Sequence, residues 1–455
     1  MTIWRFAMID MAKNLSGAFN VGRMTWRRGL ACLLFFLAAA AFGDFYPQLE
    51  IIGETNRSAL SYQPGEEMTY TFRLEPRESI PENCFLSYVR RGDDGKTFSG
   101  KAPATETLTV KTSLDQPGFV NVEVKLVDSA DKPILRDDKS GNASRIAYYA
   151  GTAVKPEQLS DCGEPADFDA FWARQKQRLA AVPFKEQTEC KLVRSVTGGK
   201  IYAVSIPCAG PRPATGYLIV PDDAGEKSLP ARITFFGYGA HPQGVPGKVE
   251  SRELALRLNA HGQELGRDDE YYRRFFGSIR SGKYSYAFDP EQNKDPENCF
   301  FNGMVLRALR AMEYLKTRPE WNGKDLIASG GSQGGLQTMW AAALDPDVTV
   351  ALPSITWCCD LAGSTKAKRL DGKWRIQYVP GLDYYDPVFM AKRIKTAKVT
   401  IQRAGLGDYT CPPSGLAISY RNLATPKKSI RWVQGSNHGF VPKKSEVIVW
   451  TAPEK

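Results

Sequence analysis

Asp325-Leu326-Ile327-Ala328-Ser329-Gly330-Gly331-Ser332-Gln333-Gly334-Gly335 is the stretch on which the fold turns. A short apolar run leads into Gly-x-Ser-x-Gly, and a helix-like segment, Leu336 to Leu344, follows. Strand, sharp turn and helix form the context in which this serine pattern carries chemistry. The turn strains the backbone and lifts the hydroxyl above the edge of a sheet. Flanking glycines are expected because a Cβ there would clash across the turn. The five-residue pattern is weak alone, so the rest of the chain must supply partners for Ser332.

From about residue 153 onward, apolar runs alternate with helical periodicity. Runs at Ile201–Ile206, Tyr217–Val220, Ile233–Phe236, Leu254–Leu258, Val348–Leu352 and Val399–Gln402 read as strands. A helix is expected over Phe168–Leu179, capped by Asp167, with Phe168, Phe171 and Trp172 on one face. Another spans Phe301–Thr317, with Val305, Leu309, Met312 and Leu315 as its buried stripe. This alternation predicts an α/β fold over residues 153–455, a mostly parallel sheet with helices on both faces. Active sites in such sheets sit at the carboxyl ends of strands.

Residues 44–152 read differently. Gly65–Leu74 and Gly118–Val127 alternate apolar and polar residues, and Gln63-Pro64-Gly65, Gly92-Asp93-Asp94-Gly95 and Gln116-Pro117-Gly118 mark turns. That pattern predicts an Ig-like β-sandwich. It holds no catalytic constellation. It reads as a carbohydrate-binding or spacer module, or as a packing and oligomer-shaping domain. Val154-Lys155-Pro156-Glu157 is the expected linker.

The bulk properties agree with two domains: 455 residues exceed one ordinary core, and 42% apolar with 24% charged residues is a globular balance. Arg27-Arg28, the apolar run Leu30–Phe42 and the small-residue site Ala41-Phe42-Gly43 form the pattern of a secretory signal over residues 1–43. Met24 would start a more typical signal than Met1. The apolar run is too short to span a bilayer comfortably. Export to the periplasm or beyond is expected, without stable membrane insertion after cleavage. Loss of residues 1–43 removes five basic residues and Asp10, leaving a formal charge of about +6 from +10. No basic block points to nucleic acid. Eight cysteines would remain, an even number that permits disulfides. With no Cys-x-x-Cys pair and three histidines, no zinc or other metal site is expected.

A serine nucleophile needs a base and a group that orients the base. In the α/β-hydrolase arrangement the chain order is Ser, then Asp or Glu, then His. His438 alone follows Ser332, since His241 and His261 precede it. The acid belongs after a strand between the two. Asp408 is the first carboxylate after the Val399–Gln402 run, and Asp360 in Trp357-Cys358-Cys359-Asp360 is its competitor. Two backbone N–H groups should form the oxyanion hole. Gln333 supplies one as the residue after the nucleophile, and Tyr238 in Phe235-Phe236-Gly237-Tyr238-Gly239-Ala240 supplies the other. Trp357, Tyr284 and Tyr286 are candidate substrate contacts or core aromatics.

Glu164–Trp172, Phe236–Gly239, Gly330–Gly335, Gly405-Leu406-Gly407-Asp408 and Cys411-Pro412-Pro413-Ser414 occur in this order. Together they resemble the acetyl xylan esterase/cephalosporin C deacetylase family, carbohydrate esterase family seven, over residues 155–455. The resemblance implies an α/β-hydrolase fold with a Ser332/Asp408/His438 triad and a Tyr238/Gln333 oxyanion hole. It implies removal of acetyl groups from small acetylated sugars such as xylo-oligosaccharides, with no cofactor. A homo-oligomer is also implied, which the added sandwich would block or remodel. Where the family has Arg-Gly-Gln-Gly, this chain reads His261-Gly262-Gln263-Glu264, which marks His261 as a possible determinant of substrate preference. Gly439 replaces the usual acidic residue after the histidine. The alternatives are another serine hydrolase of the same fold, a peptidase or general esterase, and an inactive binding protein.

Overall fold

The computed structural model describes residues 48–137, 143–372 and 374–452, so the expected export signal lies outside the described residues. A ten-stranded sheet organises the larger part. Its spatial order is Glu189–Val196, Gly199–Ile206, Ala214–Pro221, Leu254–Leu258, Leu229–Phe235, Trp321–Gly331, Val350–Ser354, Lys398–Gly405, Lys428–Val433 and Val447–Thr451. The strands from Leu254–Leu258 to Lys428–Val433 run parallel. The first three and the last are antiparallel to their neighbours.

The sheet is therefore mixed, where a mostly parallel one was expected. The cause is connection length. Thr197-Gly198 alone joins the first two strands, with Gly198 at φ +85°. A two-residue turn permits a hairpin and no crossover. Helix Phe300–Thr317 is buried along the expected stripe and well beyond it, with Arg307 and Arg310 also enclosed. Helix Phe168–Ala180 starts where expected, but the Asp167 carboxylate makes no cap bond. It accepts the Tyr384 hydroxyl instead.

The amino-terminal part holds two antiparallel sheets. One has three strands, Glu50–Thr55, Met68–Glu75 and Leu108–Thr112. The other has four, in the order Thr97–Pro103, Phe85–Gly92, Gly118–Val127 and Ala147–Val154. Period-two alternation explains their shared core: Met68, Tyr70, Phe72 and Leu74 from one sheet pack with Val122, Val124, Leu126 and Tyr148 from the other.

The two parts are not separated by a free linker. Val154 closes the last strand of the amino-terminal sheets and is buried, and the chain turns at Lys155, with φ +42°, into a short 3-10 helix at Pro156–Gln158. Ala59, Phe119 and Ala153 of the amino-terminal part pack into the core of the ten-stranded sheet. The Phe119 and Trp432 rings lie 6.2 Å apart. Gln434 clamps the contact: its Oε1 accepts the Gly151 N–H at 2.8 Å and its Nε2 donates to the Gly151 carbonyl at 2.7 Å. No described helix is long and apolar enough to cross a membrane.

Candidate active site

Ser332 sits between strand Trp321–Gly331 and helix Gln333–Leu344 with φ +58° and ψ −119°. An L residue holds such angles only under constraint, at a cost of roughly 1–3 kcal/mol. The constraint is visible. The Ser332 N–H donates to the Ser354 carbonyl at 2.9 Å, and the Ser332 carbonyl accepts the N–H of Trp357 and Leu336 at 3.2 and 3.0 Å. The glycine pattern follows from the same turn. A Cβ on Gly330 would lie 2.6 Å from the Gly334 carbonyl, and one on Gly334 would lie 2.5 Å from the Phe235 oxygen. Gly331, the free position of the pattern, has nothing nearer than 3.8 Å.

Two and three strands further along, the chain delivers Asp408 and His438 to the same edge. Asp408 follows Lys398–Gly405 and His438 follows Lys428–Val433. His438 Nδ1 and Asp408 Oδ2 are 2.9 Å apart. Asp408 is fully buried, and its Oδ1 accepts the N–H of Thr410 and Cys411 at 3.0 and 3.1 Å. One carboxylate oxygen is thus fixed by the loop and the other faces the imidazole. His438 is held from behind as well: Arg403 Nη2 donates to its carbonyl at 2.8 Å. Its side chain keeps 32% exposure, so the ring reaches solvent. Cys411 Sγ lies 3.7 Å from His438 Nδ1, and burial pushes that thiol well above its ordinary pKa. Asp408, Cys411 and His438 place ligand atoms within 4.8 Å of one another. Asp408 Oδ2 and His438 Nδ1 are already engaged with each other, so this geometry orients an imidazole before it offers a metal cradle. All eight described cysteines are free thiols.

Asp360, the competing acid, is occupied elsewhere. It pairs with Arg369 at 2.6 Å, and burial pushes its carboxyl up to about 7. Its loop is strained, with Ile355, Cys358 and Asp360 all at positive φ. Asp386 holds the loop by accepting the N–H of Asp360 and Leu361 at 3.0 and 2.7 Å.

The oxyanion candidates face one another across a buried network. Gln333 is the first residue of its helix, so its N–H has no intrahelical acceptor. No acceptor among the described residues takes the Tyr238 N–H. Tyr286 joins the two segments. Its hydroxyl accepts the Gly239 N–H at 3.0 Å and donates to Gln333 Oε1 at 2.8 Å. Its ring stacks on Tyr238 at 4.3 Å. His261 supports the same loop through Nε2, 2.8 Å from the Gly239 carbonyl. A carbonyl only accepts, which assigns the proton to Nε2.

Three expected substrate contacts are therefore buried: Tyr286, His261 and Trp357. The variant loop Asn259–Glu264 lies behind the Tyr238–Gly239 segment, with His261 and Gln263 buried. Arg307, also buried, steadies that loop through Nε and Nη2 bonds to the Ala260 carbonyl at 3.0 and 2.7 Å. Tyr284 is half-buried, with Lys283 over its ring. Trp374, which sequence reasoning passed over, is 41% exposed. It stacks on Trp357 at 5.0 Å and meets Tyr238 edge-on at 4.9 Å. An aromatic between Asp371 and Arg375 in a polar loop was the available signal.

Burial drops the His261 pKa from 6.5 to about 3. A histidine with a depressed folded pKa contributes stability above its unfolded pKa and loses it as pH falls toward the folded value. Between pH 7 and pH 5 this group should cost about 2 kcal/mol of unfolding free energy. Urea unfolding at both pH values should show that loss, and His261→Gln should remove most of it. Equal losses in parent and variant would assign the dependence to other groups.

The acetyl xylan esterase (AXE1) family model matches residues 157–452. Acetyl esterase Axe7A of Xylanibacter ruminicola is 26% identical over 435 residues, covering 88% of this chain and 91% of that one. That match exceeds the hydrolase part, so it takes in residues of the amino-terminal sheets too. An acetyl xylan esterase structure from Paenibacillus sp. R4 aligns with a TM-score of 0.51 at 24% identity, over 63% of this chain and 94% of its own. Acetyl xylan esterase 1 from Thermoanaerobacterium sp. JW/SL YS485 aligns with a TM-score of 0.51 at 21% identity, over 64% and 94%. These two likenesses establish an α/β-hydrolase fold.

Proposed function

The chain belongs to the acetyl xylan esterase family and is a carbohydrate esterase, a hydrolase of carboxylic esters; from that premise we propose that it is exported and removes O-acetyl groups from xylo-oligosaccharides or similar small acetylated sugars. The observation that carries the reading is the buried Asp408 bonded to His438 at 2.9 Å, on the sheet edge where Ser332 holds its strained turn.

In this reading Ser332 Oγ attacks the acetyl carbonyl while His438 takes its proton. Asp408 fixes the imidazole tautomer and stabilises the imidazolium. The N–H groups of Tyr238 and Gln333 receive the developing oxyanion, each worth about 3–4 kcal/mol in the transition state. His438 returns the proton to the departing sugar hydroxyl. Water then attacks the acetyl-serine by the reverse proton path and frees acetate. An acetyl group offers little to grip, so the sugar side carries recognition, and Trp374 on its aromatic support offers a stacking face. The amino-terminal sheets are, in the same reading, an Ig-like sandwich, and residues 1–43 a cleaved signal.

The test is acetate release from acetylated xylo-oligosaccharides by the exported protein, whose first residue should lie near Asp44. Release at a rate approaching that from a small aryl acetate is expected. Cleavage of the aryl acetate with no sugar-borne acetate released would reduce the protein to a general esterase.

A further inference from the structure

The catalytic histidine opens onto a cleft of about 460 Å³ whose far wall is the sandwich. Along Gly118–Val127, Val120, Val122, Val124 and Leu126 point into the sandwich core. The alternate residues Asn121, Glu123 and Lys125 therefore occupy the reverse face. Strand register puts Arg91 opposite Asn121 and Tyr149 opposite Glu123 on that face. Arg91, Glu123, Lys125, Arg145 and Tyr149 line the cleft from this side, with His438 and Trp374 on the other. The wall carries three cations and one carboxylate. Glu123 is shared, 2.8 Å from Lys125 and 3.7 Å from Arg91. Arg145 is exposed and pairs with no carboxylate among the described residues. Across the cleft, Asp371 is already paired with Arg375 at 2.9 Å, and Asp408 is buried behind the imidazole. The free charge facing the substrate space is positive.

We propose that this face of the sandwich is a substrate subsite that receives the carboxylate of a uronic acid residue on the acetylated oligosaccharide whose ester lies at Ser332. Arg145 and Lys125 are the principal partners, because a carboxylate can bond a guanidinium that has no carboxylate partner among the described residues and share the ammonium that Glu123 only partly satisfies. The sandwich is then a specificity element for the reaction, joined to the hydrolase by the Gln434–Gly151 clamp, and not a separately tethered binding module. The inference rests on the carbohydrate esterase reading above.

The experiment compares kcat/KM for two acetylated xylo-oligosaccharides of equal length, one with a uronic acid branch and one neutral, alongside a small aryl acetate. The parent should prefer the acidic substrate by about tenfold at low salt, and the preference should fall as salt screens the wall. In the Lys125→Gln/Arg145→Gln protein the acidic-to-neutral ratio should drop toward one. A Lys125→Arg/Arg145→Lys protein should retain most of the preference, separating charge from local packing. Equal kcat/KM for both oligosaccharides in the parent, or a preference that survives the double Gln change, would overturn the subsite alone. Hydrolysis of the aryl acetate with neither oligosaccharide cleaved would overturn the subsite together with the carbohydrate reading.

Discussion

Ser332→Ala should lower kcat for ester hydrolysis by roughly ten-thousand-fold or more, with little change in KM. The size follows from what remains. Without Oγ the acetyl-enzyme cannot form, and a water must attack with help from His438 and the two N–H donors alone. Those groups still stabilise the oxyanion, so a residual rate above the uncatalysed reaction is expected and not zero. Members of such a unit act together, so Ser332→Ala/His438→Ala should be hardly slower than either single change. Asp408→Asn should also be severe, because an amide facing Nδ1 no longer selects the tautomer whose Nε2 accepts the serine proton. Initial rates on an aryl acetate, with urea unfolding of each variant as a folding control, decide the matter. A Ser332→Ala protein that is folded and retains more than about one per cent of the parent rate would remove Ser332 from the nucleophile's role.

How far the sequence reveals this site depends on whether a residue's neighbours are local. Gly330, Ser332 and Gly334 are legible because the pattern itself lies within five residues: a Cβ on Gly330 would strike Gly334 in the same turn, although one on Gly334 would strike Phe235 of the adjoining strand. His438 is legible because the chain has three histidines and one chain order to satisfy. Tyr286 is different. It looks like a substrate aromatic, and it bridges Gly239 and Gln333 because a loop returns it beneath the Tyr238–Gly239 segment, 47 residues from each partner. No periodicity encodes that path. His261 is misread for a related reason. A histidine in place of an arginine suggests altered recognition, whereas burial between Tyr286, Phe276 and Phe300 makes it a prop. The amino-terminal sheets show the limit most clearly. Alternation over Gly118–Val127 reveals two faces, one apolar and one polar, but not that the polar face is turned toward His438. That orientation is set by Gly151, Gly407 and Gln434, which carry no signature of docking in the sequence.

The contact among those residues gives the second large effect: Gly407→Ala should cost about 3 kcal/mol or more of stability and about a hundredfold in kcat. A Cβ on Gly407 would sit 2.2 Å from the Tyr149 carbonyl oxygen and 2.4 Å from its Cβ. From the other side, a Cβ on Gly151 would sit 2.2 Å from the Leu406 oxygen. Real carbon–oxygen contacts need about 1 Å more, and both obstacles are fixed backbone, so no rotamer change relieves them. Strand Ala147–Val154 and the loop after Lys398–Gly405 must therefore separate. Asp408 is the next residue along, and a shift of about 1 Å in a catalytic group is enough for a hundredfold loss. Gly151→Ala should act in the same direction, since it wedges the same seam, whereas Gly277→Ala, inside helix Asp269–Ser278 with open space at its Cβ, should leave kcat nearly unchanged and raise stability by at most about 1 kcal/mol. Urea unfolding and aryl acetate kinetics on the three proteins separate the cases. If Gly407→Ala loses stability but keeps kcat, the sandwich supports the fold without holding Asp408. If it loses neither, the close backbone approach does not exist in solution and the sandwich sits elsewhere. Loss of both would make the docked sandwich part of the machinery that keeps the acid of the triad in place.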